Sequence, residues 1–212
     1  MNEIEQLMLY NRAWAVEQIA GDPEYFNRQV NDQTPAFLWI GCSDSRVAPD
    51  QLTQAAPGGL FIHRNIANLV RPDDGNLMAV MDFAIGSLKI DRIVVCGHYG
   101  CGGIKSALEG PGPGPLGDWL QHAVKVYDDH RAEIDSMPDS QARSNRLVEC
   151  NVRDQLLHVA DSAPVRAAWA EGRDLVLHGW VYDLRDGLLN SLLEIRRDTD
   201  LADVARPDRV LV

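Results

Sequence analysis

The 212-residue chain contains no apolar run near the ~18 residues that a membrane span requires. Its start, Met1-Asn2-Glu3-Ile4-Glu5-Gln6, is acidic and lacks the basic stretch of a secretory leader, so a cytoplasmic protein is expected. Positive charge is also scarce. A formal net charge of −11 argues against nucleic acid and anionic membranes as partners and favours a small-molecule substrate. Four cysteines in a chain this long make no disulfide framework; with His and Asp nearby in a reducing compartment, they read better as metal ligands. No internal repeat is present. The length argues for one domain and suffices to bury a core without staples.

What is present alternates between strand-like and helix-like segments. Residues 2–20 carry Ile4, Leu7, Met8, Trp14 and Ile19 at helical spacing and read as an amphipathic helix, stopped by Gly21-Asp22-Pro23, which also caps a following one. Residues 35–40, 60–63, 92–96 and 175–180 read as strands, the third nearly all apolar, as a parallel strand covered on both faces is. Helices are expected over 74–88, 116–134 and 139–170, and the Gly-Pro run 110–115 reads as a surface loop. This order predicts an α/β fold with a mainly parallel central sheet flanked by helices.

Two short phrases follow the first and third strands: Gly41-Cys42-Ser43-Asp44-Ser45-Arg46 and Gly97-His98-Tyr99-Gly100-Cys101-Gly102-Gly103. In open α/β sheets ligands sit beyond the carboxyl ends of strands, and adjacent parallel strands would bring both loops together. Two thiolates and an imidazole are a zinc set, and three protein ligands leave a fourth position open for water. Spacing alone leaves three readings: a catalytic zinc, a structural zinc, or a turn with no metal. The glycines of 97–103 are in the wrong order for a dinucleotide loop, and no P-loop lysine follows. Cys96 and Cys150 read as buried small hydrophobes. His63 and His178 read as satisfied core histidines, and His122, His130 and His158 as solvated ones.

In combination the two phrases resemble the signatures of the β-class carbonic anhydrases, and Phe61-Ile62-His63-Arg64-Asn65-Ile66-Ala67-Asn68 resembles that family's segment between them. The likeness runs on through His178-Gly179-Trp180 to Asp186-Gly187-Leu188. It implies one Zn2+ per chain on Cys42, His98 and Cys101, with Asp44 either paired to Arg46 or swung in as a fourth metal ligand. With Asp44 on Arg46, zinc-bound hydroxide would attack carbon dioxide to give bicarbonate and a proton. Asp44 and Arg46 are then the catalytic pair. The same scaffold could act on carbon disulfide or carbonyl sulfide, and a non-catalytic zinc-stapled bicarbonate-binding module is the rival of a different class.

One subset of the family resembles this chain in having Trp39, Arg64 and Tyr182 at positions that bind a regulatory bicarbonate, which favours a closed state with Asp44 on zinc. The alternative is that Trp39 and Tyr182 are core aromatics and Arg64 a structural ion-pair partner. The resemblance also implies a homo-oligomer, dimer or tetramer, of single-domain chains spanning 1–212, with residues 1–34 an N-terminal helical arm packing on a partner subunit. Two details depart from the common pattern: Pro49 stands one position later than usual, and Gly59 replaces an acidic residue.

Overall fold

The computed structural model describes residues 1–211, which divide into two compact units, 1–34 and 35–211. No helix among the described residues is long and apolar enough to cross a membrane.

In the first unit, helix α1 spans Glu3–Gly21. Its start is a capping box: the Glu5 amide donates to Asn2 Oδ1 (2.8 Å) while the Asn2 amide donates to Glu5 Oε2 (2.9 Å). The helix is not amphipathic as expected. Leu7, Met8, Leu9 and Tyr10 are consecutive and all exposed, so apolar side chains run round the helix and form no single stripe. Trp14 meets Tyr25 and Phe26 edge-on, at 6.3 and 5.6 Å between ring centroids. Asp22 closes α1, but no further α-helix starts there; turns lead to a single 3-10 turn at Asn27–Gln29.

The second unit is built on a five-stranded sheet. Its strands are β1 (Phe37–Cys42), β2 (Leu60–Asn65), β3 (Arg92–His98), β4 (Val176–Asp183) and β5 (Leu188–Ile195). They lie in the order β2-β1-β3-β4-β5, with only β4–β5 antiparallel. The mainly parallel α/β sheet read from the sequence is the one found. Strand β5 was not anticipated. It returns from β4 through a turn in which the Gly187 amide donates to the Asp183 carbonyl at 2.8 Å, with Gly187 at φ 76°.

Helices α2 (Pro49–Thr53), α3 (Gly75–Asp82), α4 (Gly102–Glu109), α5 (Pro115–Asp129), α6 (Arg131–Asp135), α7 (Ser140–Asp161) and α8 (Ala163–Ala170) complete the unit. Both long helical stretches are broken in two. The break before α8 falls where Pro164 occupies its first turn, a position that suits proline because the missing N–H has no helical partner there. The 74–88 stretch ends in a π-helical turn over Phe83–Ser87.

Side chains alternate across the sheet. Leu38, Ile40, Ile93 and Val95 face a core completed by Leu77 and Met81 of α3 and Leu156 and Val159 of α7, all nearly inaccessible. Trp39, Val94 and Cys96 face the other way, with Ile62, Trp180 and Tyr182 against them. Both faces of β3 are therefore covered, which explains its unbroken apolar run.

Candidate metal centre

Strands β1 and β3 are parallel neighbours, with Gly41 opposite Cys96, so their carboxyl ends open side by side. Cys42 closes β1, His98 closes β3, and Cys101 caps α4. One ligand atom from each lies within 4.8 Å of the others, all three residues are buried, and the two sulfurs are 3.9 Å apart. His98 Nε2 is buried with no hydrogen-bond partner among the described residues. Its Nδ1 sits 3.1 Å from the Tyr99 carbonyl oxygen, so Nδ1 carries the proton and Nε2 is left as a bare lone pair. A buried lone pair beside two thiols is costly unless an electrophile fills the gap, and this donor set fits Zn2+.

One of the two thiols is poised for deprotonation. A hydrogen bond from Cys101 draws Cys42 down, burial opposes it, and the backbone amides of Asp44 and Ala67 add to the lowering. Cys101 moves the other way because the Cys42 sulfur and burial hold its proton. The two opposite shifts describe one shared proton, and the direction that stands for the pair is an easily formed first thiolate.

Asp44 accepts from the Arg46 backbone amide (3.0 Å), Nε (2.9 Å) and Nη2 (2.7 Å). This fork holds the carboxyl well below the usual range, against the opposing effect of partial burial. Asp44 Oδ2 is still only 3.8 Å from His98 Nε2. Arg46 Nη2 also donates to the Gly100 carbonyl (3.2 Å), linking the first phrase to the second.

Arg64 neighbours the centre without an acidic partner: Nε donates to the Cys42 carbonyl (2.8 Å) and Nη2 to the Asp44 carbonyl (2.6 Å). Trp39 is 1% exposed, and its Nε1–H has no partner. The indole lies over Gly41, where an added Cβ would come within 2.5 Å of Nε1; Gly41 in turn pairs with Arg64 across the sheet. Tyr182 packs against the Trp39 cluster and sits opposite His98 in the β3–β4 register.

Among the histidines, His63 and His178 are half-buried and do not join the ligand set. Burial lowers both, with Glu194 opposing at His178. The expectation of solvated helix histidines is corrected. His130 is 5% exposed with Nε2 3.0 Å from Asp154, His158 Nδ1 lies 3.0 Å from the Val70 carbonyl oxygen, and His122 is half-buried. A second cluster, His130, Glu133 and Cys150, also gathers within 4.8 Å. There Glu133 is already matched by Arg146 (2.6 Å) and Arg206 (3.0 Å), and burial pushes the Cys150 thiol up to about 12. Cation binding is opposed at that site.

The sequence reading missed the support beneath the centre. Ala67 and Asn68 adopt left-handed backbone at φ 66° and 47° although neither is glycine, and both are buried. The turn is held because Asn65 braces Leu69 on both backbone groups (2.8 Å each) and Asn151 Nδ2 donates to the Ala67 carbonyl (3.0 Å). The Ala67 amide is among the groups that lower the Cys42 thiol.

Residues 37–189 match the family model described as carbonic anhydrase. The chain belongs to the β class of the carbonic anhydrase family. It is 44% identical to a carbonic anhydrase of Emericella nidulans over 86% of this chain and 80% of that one. It is 38% identical to one of Pseudomonas aeruginosa, over 80% and 78%. Among solved structures, the β-carbonic anhydrase of Coccomyxa superposes with a TM-score of 0.88 at 36% identity, covering 95% of this chain and 96% of that one. A tetrameric β-carbonic anhydrase of Sordaria macrospora gives 0.87 at 35% identity, covering 92% and 100%. The chain is therefore an enzyme of the carbonic anhydrase family, and the family's reaction is the hydration of carbon dioxide.

Proposed function

We propose that this enzyme hydrates carbon dioxide reversibly at one Zn2+ per chain, held by Cys42 Sγ, His98 Nε2 and Cys101 Sγ. The observation that carries this is the partnerless buried Nε2 facing two thiols 3.9 Å apart, with the Asp44–Arg46 fork beside them. When bound, zinc supplies a water acidified toward neutral pH. The chain's own residues set the rest. Asp44, held anionic by Arg46, is an acceptor only; it takes a hydrogen bond and orients its donor, and is too weak a base to store the proton. His98 is locked in one tautomer by the Tyr99 carbonyl. A structural zinc site needs neither Asp44 nor Arg46, so their placement favours turnover over a stapled binding module.

Bicarbonate regulation belongs to the same reading. Trp39 offers an unused indole N–H next to Gly41, and Tyr182 a phenol on the same face of the sheet. Arg64 now holds the carbonyls of Cys42 and Asp44, so turning to an anion would release the loop that carries Asp44. Asp44 could then cross the 3.8 Å toward His98 Nε2 and close the fourth position. In the parent, bicarbonate should inhibit hydration reversibly and more strongly at lower pH, and Trp39→Phe should abolish most of that inhibition. Equal inhibition of both proteins in stopped-flow assays would sink the regulatory role.

Residues 1–34 are proposed to pack on a partner subunit in a cytoplasmic dimer or tetramer. The exposed apolar side chains of α1 support this, as does the tetrameric state named for the Sordaria enzyme.

The deciding experiment is stopped-flow carbon dioxide hydration from pH 6.5 to 9 on protein of known zinc content. Activity that rises with pH at one zinc per chain is expected. Bound zinc with no hydration at any pH would leave a binding module or another cumulated substrate.

A further inference from the structure

A buried carboxylate below the metal phrases has no part in the chemistry described so far. Glu149 on α7 is 1% exposed and accepts from three donors: Tyr99 Oη (2.7 Å), the Val210 amide (3.1 Å) and Arg146 Nη1 (2.6 Å). The segment bearing Val210 is strapped down nearby. Arg153 Nη2 donates to the Val204 carbonyl (2.6 Å), and Arg206 bonds Glu133 (3.0 Å).

Tyr99 links this layer to the centre. Its phenol meets Glu149, its amide donates to the Tyr182 carbonyl (3.0 Å), and its own carbonyl accepts from His98 Nδ1. The weak point is the peptide that carries this carbonyl. It leads into Gly100 at φ 70°, a residue with nothing within 4 Å of where a Cβ would stand. Glycine's wide conformational range gives that peptide plane room to rotate, and rotation would remove the acceptor from His98. Two anchors oppose it: Arg46 on the Gly100 carbonyl from above and Glu149 on the Tyr99 ring from below.

We infer that Glu149 is a positioning residue for the metal centre: with the C-terminal segment through Val210, it fixes Tyr99 and thereby the tautomer and ring plane of His98. This rests on the reading of Cys42, His98 and Cys101 as zinc ligands. Outer partners of a metal-bound histidine typically alter metal affinity 10- to 100-fold when removed.

The test is zinc release to a chelator from the full-length protein, with the visible spectrum of the cobalt-substituted form as a second readout. Tyr99→Phe removes one hydroxyl and keeps the ring. It should release zinc on the order of 10-fold faster and shift the cobalt bands. Adding Glu149→Gln should change release little further, because both substitutions cut the same chain. Release within twofold of the parent with unchanged cobalt bands would overturn the inference, whatever the loss of thermal stability. Additive effects of the two substitutions would overturn it too. Should Glu149→Gln fail to fold, Tyr99→Phe decides alone. A parent protein that holds no zinc would overturn the zinc reading itself, and this inference with it.

Discussion

Arg46→Ala should keep one zinc per chain yet hydrate carbon dioxide on the order of 100-fold more slowly. The substitution removes the 2.9 and 2.7 Å side-chain bonds to Asp44 and leaves only the 3.0 Å bond from the backbone amide. A carboxylate freed of its fork lies 3.8 Å from His98 Nε2 and would be drawn toward a zinc ion held there, closing the position where water would bind. The lost guanidinium also holds the Gly100 carbonyl, so the second phrase loosens as well. Stability should change little, because the Arg46 side chain is 57% exposed and such pairs contribute about 1 kcal/mol or less. Arg46→Lys should recover only part of the rate: a point charge cannot supply two parallel bonds. The check is hydration rate beside zinc content. A rate within threefold of the parent at full zinc would remove Arg46 from the mechanism.

Gly97→Ala should cost about 1–3 kcal/mol of stability, lowering the melting temperature by roughly 2–12 °C for a domain of this size. Gly97 lies in β3 immediately before His98, where α7 crosses the sheet. An added Cβ would stand 2.7 Å from Val152 Cγ2 and 3.2 Å from Val148 Cγ1. Neither valine can swing aside, because β-branched side chains on a helix have essentially one rotamer. The strain must pass into β3, and His98 is the next residue along it. Val152→Ala in the same chain should restore much of the loss by clearing the nearer methyl. If calorimetry shows Gly97→Ala as stable as the parent, the packing of α7 on β3 is looser than its geometry indicates.

The gathering of Cys42, His98 and Cys101 was legible in the sequence because each phrase follows a strand whose apolar run is unmistakable. Strand order then places Cys42 beside His98 and Cys101. The pairing of Asp44 with Arg46 came from the family resemblance, as one of two states for Asp44, and the structure holds the pair as a fork. Strand β5 was missed because Leu-Leu-Asn-Ser-Leu-Leu-Glu-Ile lacks strict alternation. The register shift at Gly179/Trp180 repairs the pairing only in three dimensions. His122, His130 and His158 were misjudged because neighbouring charges suggested solvent; Asp154 instead turns inward to meet His130. Long-range braces such as Asn151 on Ala67, 84 residues apart, leave no local pattern to read.

The separation of the two halves of the centre also bears on how the molecule assembles. Cys42 and Cys101 stand 59 residues apart in the chain and meet only when β1 lies against β3. No short peptide contains the site, so a newly made chain would gather the proposed zinc ligands only once the middle of the sheet has formed. If zinc is held there as proposed, the ion would be a clasp across the central strands, and its binding energy would add to the folding equilibrium. A chelator would then act as a destabilising agent, and metal supply would be one of the conditions that decide how much of this protein survives.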